Sequence, residues 1–67
     1  MKNRLRELRA GRGWTQQELG ERVGVSRQAI IALEAEKHAP SLDLAYKLAA
    51  VFDLGVELLF ENPYRNR

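Results

Sequence analysis

The sequence contains no cysteine, only one histidine, and no apolar stretch of the roughly 20 residues that a membrane span requires. Without cysteine the chain can form neither a disulfide framework nor a thiolate metal site, so packing or a partner subunit must stabilise it. The N-terminus also lacks the apolar core of a signal peptide, which favours a soluble cytoplasmic protein that does not bind membranes.

Residue types needed for catalysis are equally scarce. The histidine, His38, has no second metal ligand at a usable spacing, and the segment "GRG" lacks the lysine and the spacing of a phosphate-binding loop. The carboxylates fall mostly at positions expected to be exposed on helices. The sequence therefore argues against an enzyme, and it indicates no metal, no cofactor and no small-molecule ligand.

Length and charge set the next limits. At 67 residues the chain is one small domain, near the lower limit of size for folding alone. Its net charge is +2, but residues 1–37 carry +3 whereas residues 38–67 carry −1. A basic N-terminal half is compatible with nucleic acid, although charge on a small helical protein is usually a solvated face.

Apolar spacing and capping residues predict an all-α fold, a compact bundle of five helices without strands. The first helix is expected over about residues 3–10, with Trp14 packing inward after it. Thr15 and Glu18 form a capping-box pattern, so the second helix should begin at Gln16. Gly24 ends that helix, since glycine adopts a left-handed turn without a steric penalty.

Serines mark the starts of the next two helices. Ser26 is the predicted N-cap of the third helix and Ser41 that of the fourth, which runs to about Phe52. A short fifth helix follows near residues 56–60, and the tail "ENPYRNR" has no apolar period. We therefore divide the chain into a domain of residues 1–61 and a polar C-terminal tail of residues 62–67.

The stretch "TQQELGERVGVSRQAIIALE", residues 15–34, has the spacing of two helices that cross at a tight turn. Such a pair needs a small residue where the helices touch, here Gly20, and a glycine at the turn, here Gly24. Aliphatic residues at the appropriate positions attach the pair to the bundle: Leu19, Val23, Val25, Ile30 and Leu33. A plain helical hairpin without a ligand is the alternative, but the whole pattern favours a DNA-binding helix-turn-helix.

Together with "PSLDLAYKLAAVFDLGVELLF", this stretch resembles the Xre family, also called the Cro/C1-type helix-turn-helix family, over about residues 3–60. The resemblance implies a lambda-repressor-like DNA-binding domain in a small stand-alone bacterial transcriptional regulator. It also implies that double-stranded DNA is the partner and that the start of the third helix reads base edges in the major groove.

The residues that match base-contacting positions lie on one face of this recognition helix. Arginine suits the two acceptors of guanine and glutamine suits adenine, so Arg27 and Gln28 can discriminate bases. Ala32 and the expected outward-facing Ile31 offer methyl groups to thymine.

The resemblance also implies contacts to phosphate and an ion pair between Arg9 and Glu34 that orients the arginine. The predicted phosphate contacts are Gln16, Gln17, Ser26, Arg9, Arg12 and Lys37.

Two departures from the family pattern affect the fold. Gly20 stands where relatives usually have alanine, which should cost about 1 kcal/mol of helix stability. Ala35 and Glu36 replace a common Asn-Gly pair after the recognition helix, which puts the backbone turn there in question.

A homodimer is expected because one chain offers too few base contacts for a selective site, whereas a two-fold dimer doubles them. Leu58, Leu59 and Phe60 form an apolar cluster too dense for one short helix to bury fully, and Tyr64 follows closely. We therefore predict a dimer interface at these four residues and a palindromic operator with half-sites about 34–36 Å apart.

The alternative function is an antitoxin-type protein that neutralises a partner and regulates its own promoter. Antitoxins of this kind usually carry an additional segment that covers the toxin, and only seven residues follow Phe60. This length favours the stand-alone regulator.

Overall fold

The computed structural model describes residues 1–65, and in that range it contains five helices and no strand. The helices are α1 (Leu5–Gly11), α2 (Gln16–Val23), α3 (Arg27–Glu34), α4 (Leu42–Phe52) and α5 (Val56–Leu59). The predicted all-α fold is thus confirmed. The predicted tail of residues 62–67 lies partly outside the described residues, and the proposed domain boundary stays a prediction.

The three polar caps form as the sequence predicts. The hydroxyls of Thr15, Ser26 and Ser41 accept backbone N–H groups at the starts of α2, α3 and α4. The backbone N–H of Thr15 in turn donates to Oε1 of Glu18 at 2.8 Å. These bonds lower the pKa of Glu18, so its stabilising effect is present at neutral pH and is lost as the pH falls through its folded-state pKa.

The start of α1 differs from the prediction, because residues 3 and 4 do not belong to the helix. Asn3 instead pairs with Phe60 in an isolated antiparallel bridge, and the backbone N–H of Arg4 donates to the carbonyl of Leu59 at 2.9 Å. This pairing fastens the N-terminal segment to the residues that end α5. It also fixes Phe60 in an extended conformation, just beyond the helix.

The side chain of Asn3 links two helix ends. Its Nδ2 donates to the carbonyl of Leu33 at 2.7 Å, and its Oδ1 accepts the backbone N–H of Leu5 at 3.1 Å. Both groups are among those that helix ends leave without partners inside the helix. Asn3 therefore holds the start of α1 against the end of α3, a role that the sequence analysis did not predict.

The core receives apolar side chains from all five helices and from Phe60. Trp14 packs against this core, and its ring centroid lies 5.6 Å from that of Phe52. Of the five aliphatic residues predicted to attach the helix pair to the bundle, Val25 is only half-buried. The buried residues are Leu5, Leu19, Val23, Ile30, Leu33, Ala45, Leu48, Ala49, Phe52, Leu59 and Phe60.

The crossing of α2 and α3 depends on its two glycines. Gly24 adopts the predicted left-handed conformation, with φ of 76°. Gly20 is buried, and a Cβ atom at this position would lie 2.7 Å from the carbonyl oxygen of Val25. The cost in helix stability expected of Gly20 stays a prediction, but glycine is needed at this crossing, because alanine would not fit here unless the backbone moved.

The turn after α3 keeps a left-handed residue although glycine is absent. Glu36 occupies that position with φ of 62°. Its carboxylate accepts the backbone N–H of Asn3 at 3.2 Å, so the side chain lies against the N-terminal segment. The substitution of Ala35 and Glu36 for Asn-Gly therefore leaves the turn in place.

Candidate nucleic-acid interface

Helix α3, the predicted recognition helix, has one buried and one outward face. Ile30 and Leu33 are in the core, whereas Arg27 and Gln28 are exposed and Ile31 is 37% exposed. At 3.6 residues per turn, the three exposed residues lie on a single face. Ala32, at the edge of this face, is half-buried. The structure thus brings together the four residues predicted to contact bases.

The predicted ion pair between Arg9 and Glu34 is confirmed, and it joins α1 to the end of α3. Nε and Nη2 of Arg9 donate to the Glu34 carboxylate at 2.6 and 3.1 Å, and Nη1 donates to the carbonyl of Trp14 at 2.8 Å. The two side chains are 15% and 5% exposed. Hydrogen bonding to Glu34 raises the pKa of Arg9, with the charge of the carboxylate adding to the effect and desolvation opposing it.

The same carboxylate positions the first residue of α2. Nε2 of Gln16 donates to Oε1 of Glu34 at 3.1 Å. An amide nitrogen carries two hydrogens, so this contact orients the side chain and leaves a second donor. Gln17 is exposed, and its Nε2 donates to Oε2 of Glu21 at 3.2 Å. The hydroxyl of Ser26 accepts the N–H of Ala29 and can still donate its own hydrogen.

A shallow groove of about 370 Å³ opens beside this network. Ile31 belongs both to the groove and to the outward face of α3, so the two surfaces are continuous. Arg6 lies in the groove, and among residues 1–65 it has no ion-pair partner. The lining residues are Arg6, Arg9, Gln16, Ile31, Glu34 and Ala35. Arg6 was not among the predicted phosphate contacts, although it lies about one helical turn before Arg9.

Two of the other predicted phosphate contacts lie elsewhere. The guanidinium of Arg12 is 5.5 and 5.8 Å from the ring centroids of Trp14 and Phe52, and its Nη2 donates to the carbonyl of Phe52 at 3.2 Å. This arginine therefore binds the C-terminal end of α4. Lys37 is exposed in the turn after α3, and the described part of the chain offers it no ion-pair partner.

The predicted dimer residues divide into two pairs. Leu59 and Phe60 are 1% and 6% exposed, because the pairing of the chain ends turns both into the core. The expectation that they reach the surface was wrong. Leu58 and Tyr64, by contrast, are 48% and 89% exposed.

The described residues contain neither a cluster of metal ligands nor a helix that could span a membrane. No three His, Asp or Glu side chains of residues 1–65 are grouped so that they could hold a metal ion. None of the helices in this part of the chain is both long and apolar enough to span a membrane.

Comparison with known proteins gives the family. Residues 5–59 match the family model described as helix-turn-helix. The chain belongs to this family. It is of the Xre, or Cro/C1, type that the sequence resembles, and the regulator is a DNA-binding protein of transcription control.

Relatives of similar length occur in archaea and bacteria. The regulator is 53% identical over 60 residues to an uncharacterized HTH-type transcriptional regulator of Archaeoglobus fulgidus, covering 90% of this chain and 86% of that protein. It is 47% identical over 60 residues to the uncharacterized HTH-type transcriptional regulator YgzD of Bacillus subtilis, covering 90% of this chain and 91% of that one.

Solved structures share the fold. The N-terminal DNA-binding domain of SinR from Bacillus subtilis superposes with a TM-score of 0.78 and 27% identity, covering 92% of this chain and 91% of that one. A chain of the SinR protein/SinI protein complex also gives a TM-score of 0.78, at 27% identity, with 91% of this chain and 60% of that chain covered.

Proposed function

We propose that the regulator binds a palindromic operator as a homodimer, with α3 of each subunit in the major groove. The observation that carries this proposal is the outward face of α3, where Arg27, Gln28 and Ile31 are exposed together on the side away from the core. Arginine and glutamine provide the donors and acceptors that distinguish guanine and adenine.

The neighbouring groups suit the sugar-phosphate backbone beside those bases. Gln16 opens α2, where free backbone N–H groups and the helix dipole attract phosphate, and its amide retains a free hydrogen. Ser26 opens α3 with a hydroxyl that can donate. Contacts of this kind fix the register of the protein on the duplex, whereas the face of α3 supplies the sequence preference.

The dimer surface in this proposal rests on Leu58 and Tyr64. Leu58 is on α5, and Tyr64 follows in the segment after the bundle, so both lie near the C-terminal end of the chain. A two-fold arrangement of recognition helices would read two half-sites about 34–36 Å apart, one turn of DNA.

Replacing Arg27 with alanine should weaken binding to a preferred duplex by about 1–3 kcal/mol and relax the preference at one base pair per half-site, because a bidentate contact to guanine is lost. The duplex is first selected by the wild-type protein from a random pool, and affinities are then measured by fluorescence anisotropy. Lys47→Ala is the matched control, since Lys47 pairs with Asp43 on α4 at 3.1 Å. Equal affinity of the Arg27→Ala and wild-type proteins would disprove the assignment of α3 as the reading helix.

A further inference from the structure

The groove beside α3 contains two arginines, and within residues 1–65 only one of them is paired with a carboxylate. Arg9 is held by Glu34 and by the carbonyl of Trp14, its side chain is only 15% exposed, and the carboxylate compensates its charge. Arg6 is exposed, and no carboxylate among residues 1–65 forms an ion pair with it. The groove therefore owes its free positive charge to Arg6.

The groove is also placed where the backbone of bound DNA would run. Ile31 connects it to the face of α3 that carries Arg27 and Gln28, and Gln16 at the start of α2 also lines it. When a helix reads base edges in the major groove of DNA, the phosphates that border the major groove lie directly beside that helix. An uncompensated arginine at this edge is suited to one of those phosphates.

We propose that Arg6 is a DNA phosphate contact of the regulator and that Arg9, which the family resemblance points to, acts as a positioning residue instead. This inference rests on the proposed function. In this arrangement Arg9 fixes Glu34, Glu34 orients Gln16, and the phosphate is held between Gln16 and Arg6. The buried pair of Arg9 and Glu34 thus sets the geometry, and the exposed Arg6 and half-buried Gln16 make the contacts.

Salt dependence separates this contact from a general effect of charge. Each phosphate contact releases a condensed counterion and contributes about 0.9 to the slope of log affinity against log salt concentration. Replacing Arg6 with glutamine should therefore lower the slope by about 1 for each bound chain, or about 2 for a dimer. Affinity per chain should fall by up to about eightfold at 0.1 M salt.

The experiment compares Arg6→Gln, Arg6→Lys and Arg4→Gln with the wild-type protein on the selected duplex, between 0.05 and about 0.3 M salt, a range over which such slopes are linear. Arg4→Gln is the matched control because it removes the same charge from the same end of the chain, where Arg4 pairs with Glu7 at 2.7 Å. Arg6→Lys should retain most of the slope. Thermal unfolding of Arg6→Gln should match that of the wild type, since the Arg6 side chain forms no ion pair within residues 1–65.

The possible outcomes are distinct. A reduced slope for Arg6→Gln alone, with a near-normal slope for Arg6→Lys and Arg4→Gln, supports the contact. Equal slopes for Arg6→Gln and Arg4→Gln, with normal binding by the wild type, overturn the role of Arg6 and leave the proposed function intact. A wild-type protein that binds no duplex overturns both.

Discussion

Replacing Gly20 with valine should remove about 3 kcal/mol or more of stability, a large part of what a chain of this size possesses. A domain of this length is stable by roughly 3–10 kcal/mol. The first added carbon would lie 2.7 Å from the carbonyl oxygen of Val25, which belongs to the backbone and cannot rotate away as a side chain can. The two helices must then separate, so the penalty lies at or above the upper end of that for overpacking.

Gly11 provides the matched control. It is helical, and apart from its chain neighbours and the adjacent backbone of its own helix, no heavy atom lies within 4 Å of the position that a Cβ would occupy. Gly11→Val should therefore change stability by less than about 1 kcal/mol, because valine and glycine differ little in helix propensity. Urea unfolding followed by circular dichroism measures both variants. Similar midpoints for the two would show that the crossing of α2 and α3 tolerates a side chain at position 20.

The features that the sequence predicted correctly depend on neighbouring residues. Thr15, Ser26 and Ser41 each cap a helix through a backbone N–H three residues later, so a short pattern is sufficient to locate the helix start. The left-handed turn at Gly24 is local in the same way. The outward face of α3 follows from periodicity once its N-cap is known.

The features that were missed depend on residues far apart in the chain. Asn3 meets Phe60 only after every helix has packed, and no local pattern indicates such a pairing. As a result, Phe60 was placed on the surface and residue 3 inside a helix. Arg12 reaches Phe52 in the same long-range manner and so lies at the end of α4.

The groove beside α3 shows both cases at once. The family resemblance correctly paired Arg9 with Glu34, because that ion pair is part of the pattern. It did not show that the pair leaves little of Arg9 exposed, nor that Arg6 shares the groove. Exposure and compensation of charge are properties of the packed structure, and they change which arginine is assigned to phosphate.

Replacing Phe60 with glutamate should leave the protein without a cooperative unfolding transition. The ring is 6% exposed, and removal of a buried phenylalanine side chain costs about 3–5 kcal/mol. A buried carboxylate without a partner adds a further penalty of several kcal/mol. The sum equals or exceeds the expected stability of the chain, and circular dichroism during heating measures the loss directly. A cooperative transition within a few degrees of that of the wild type would contradict the burial of Phe60.

Leu58 is therefore the residue with which to test the dimer. Leu58 is 48% exposed on α5, so Leu58→Glu should keep the helical signal of the wild type, and at low protein concentration its unfolding midpoint should lie near that of the wild type. If the C-terminal end is the dimer surface, a charge there disfavours association, and the midpoint then loses its dependence on protein concentration. Sedimentation of Leu58→Glu should show a shift from dimer to monomer. Its affinity for a palindromic duplex should be lower than that of the wild type, whereas its affinity for one half-site should be unchanged. A wild-type protein that remains monomeric at micromolar concentration, and that binds the palindrome no better than the half-site, would rule out the homodimer; a dimer that survives Leu58→Glu would move the interface to another surface.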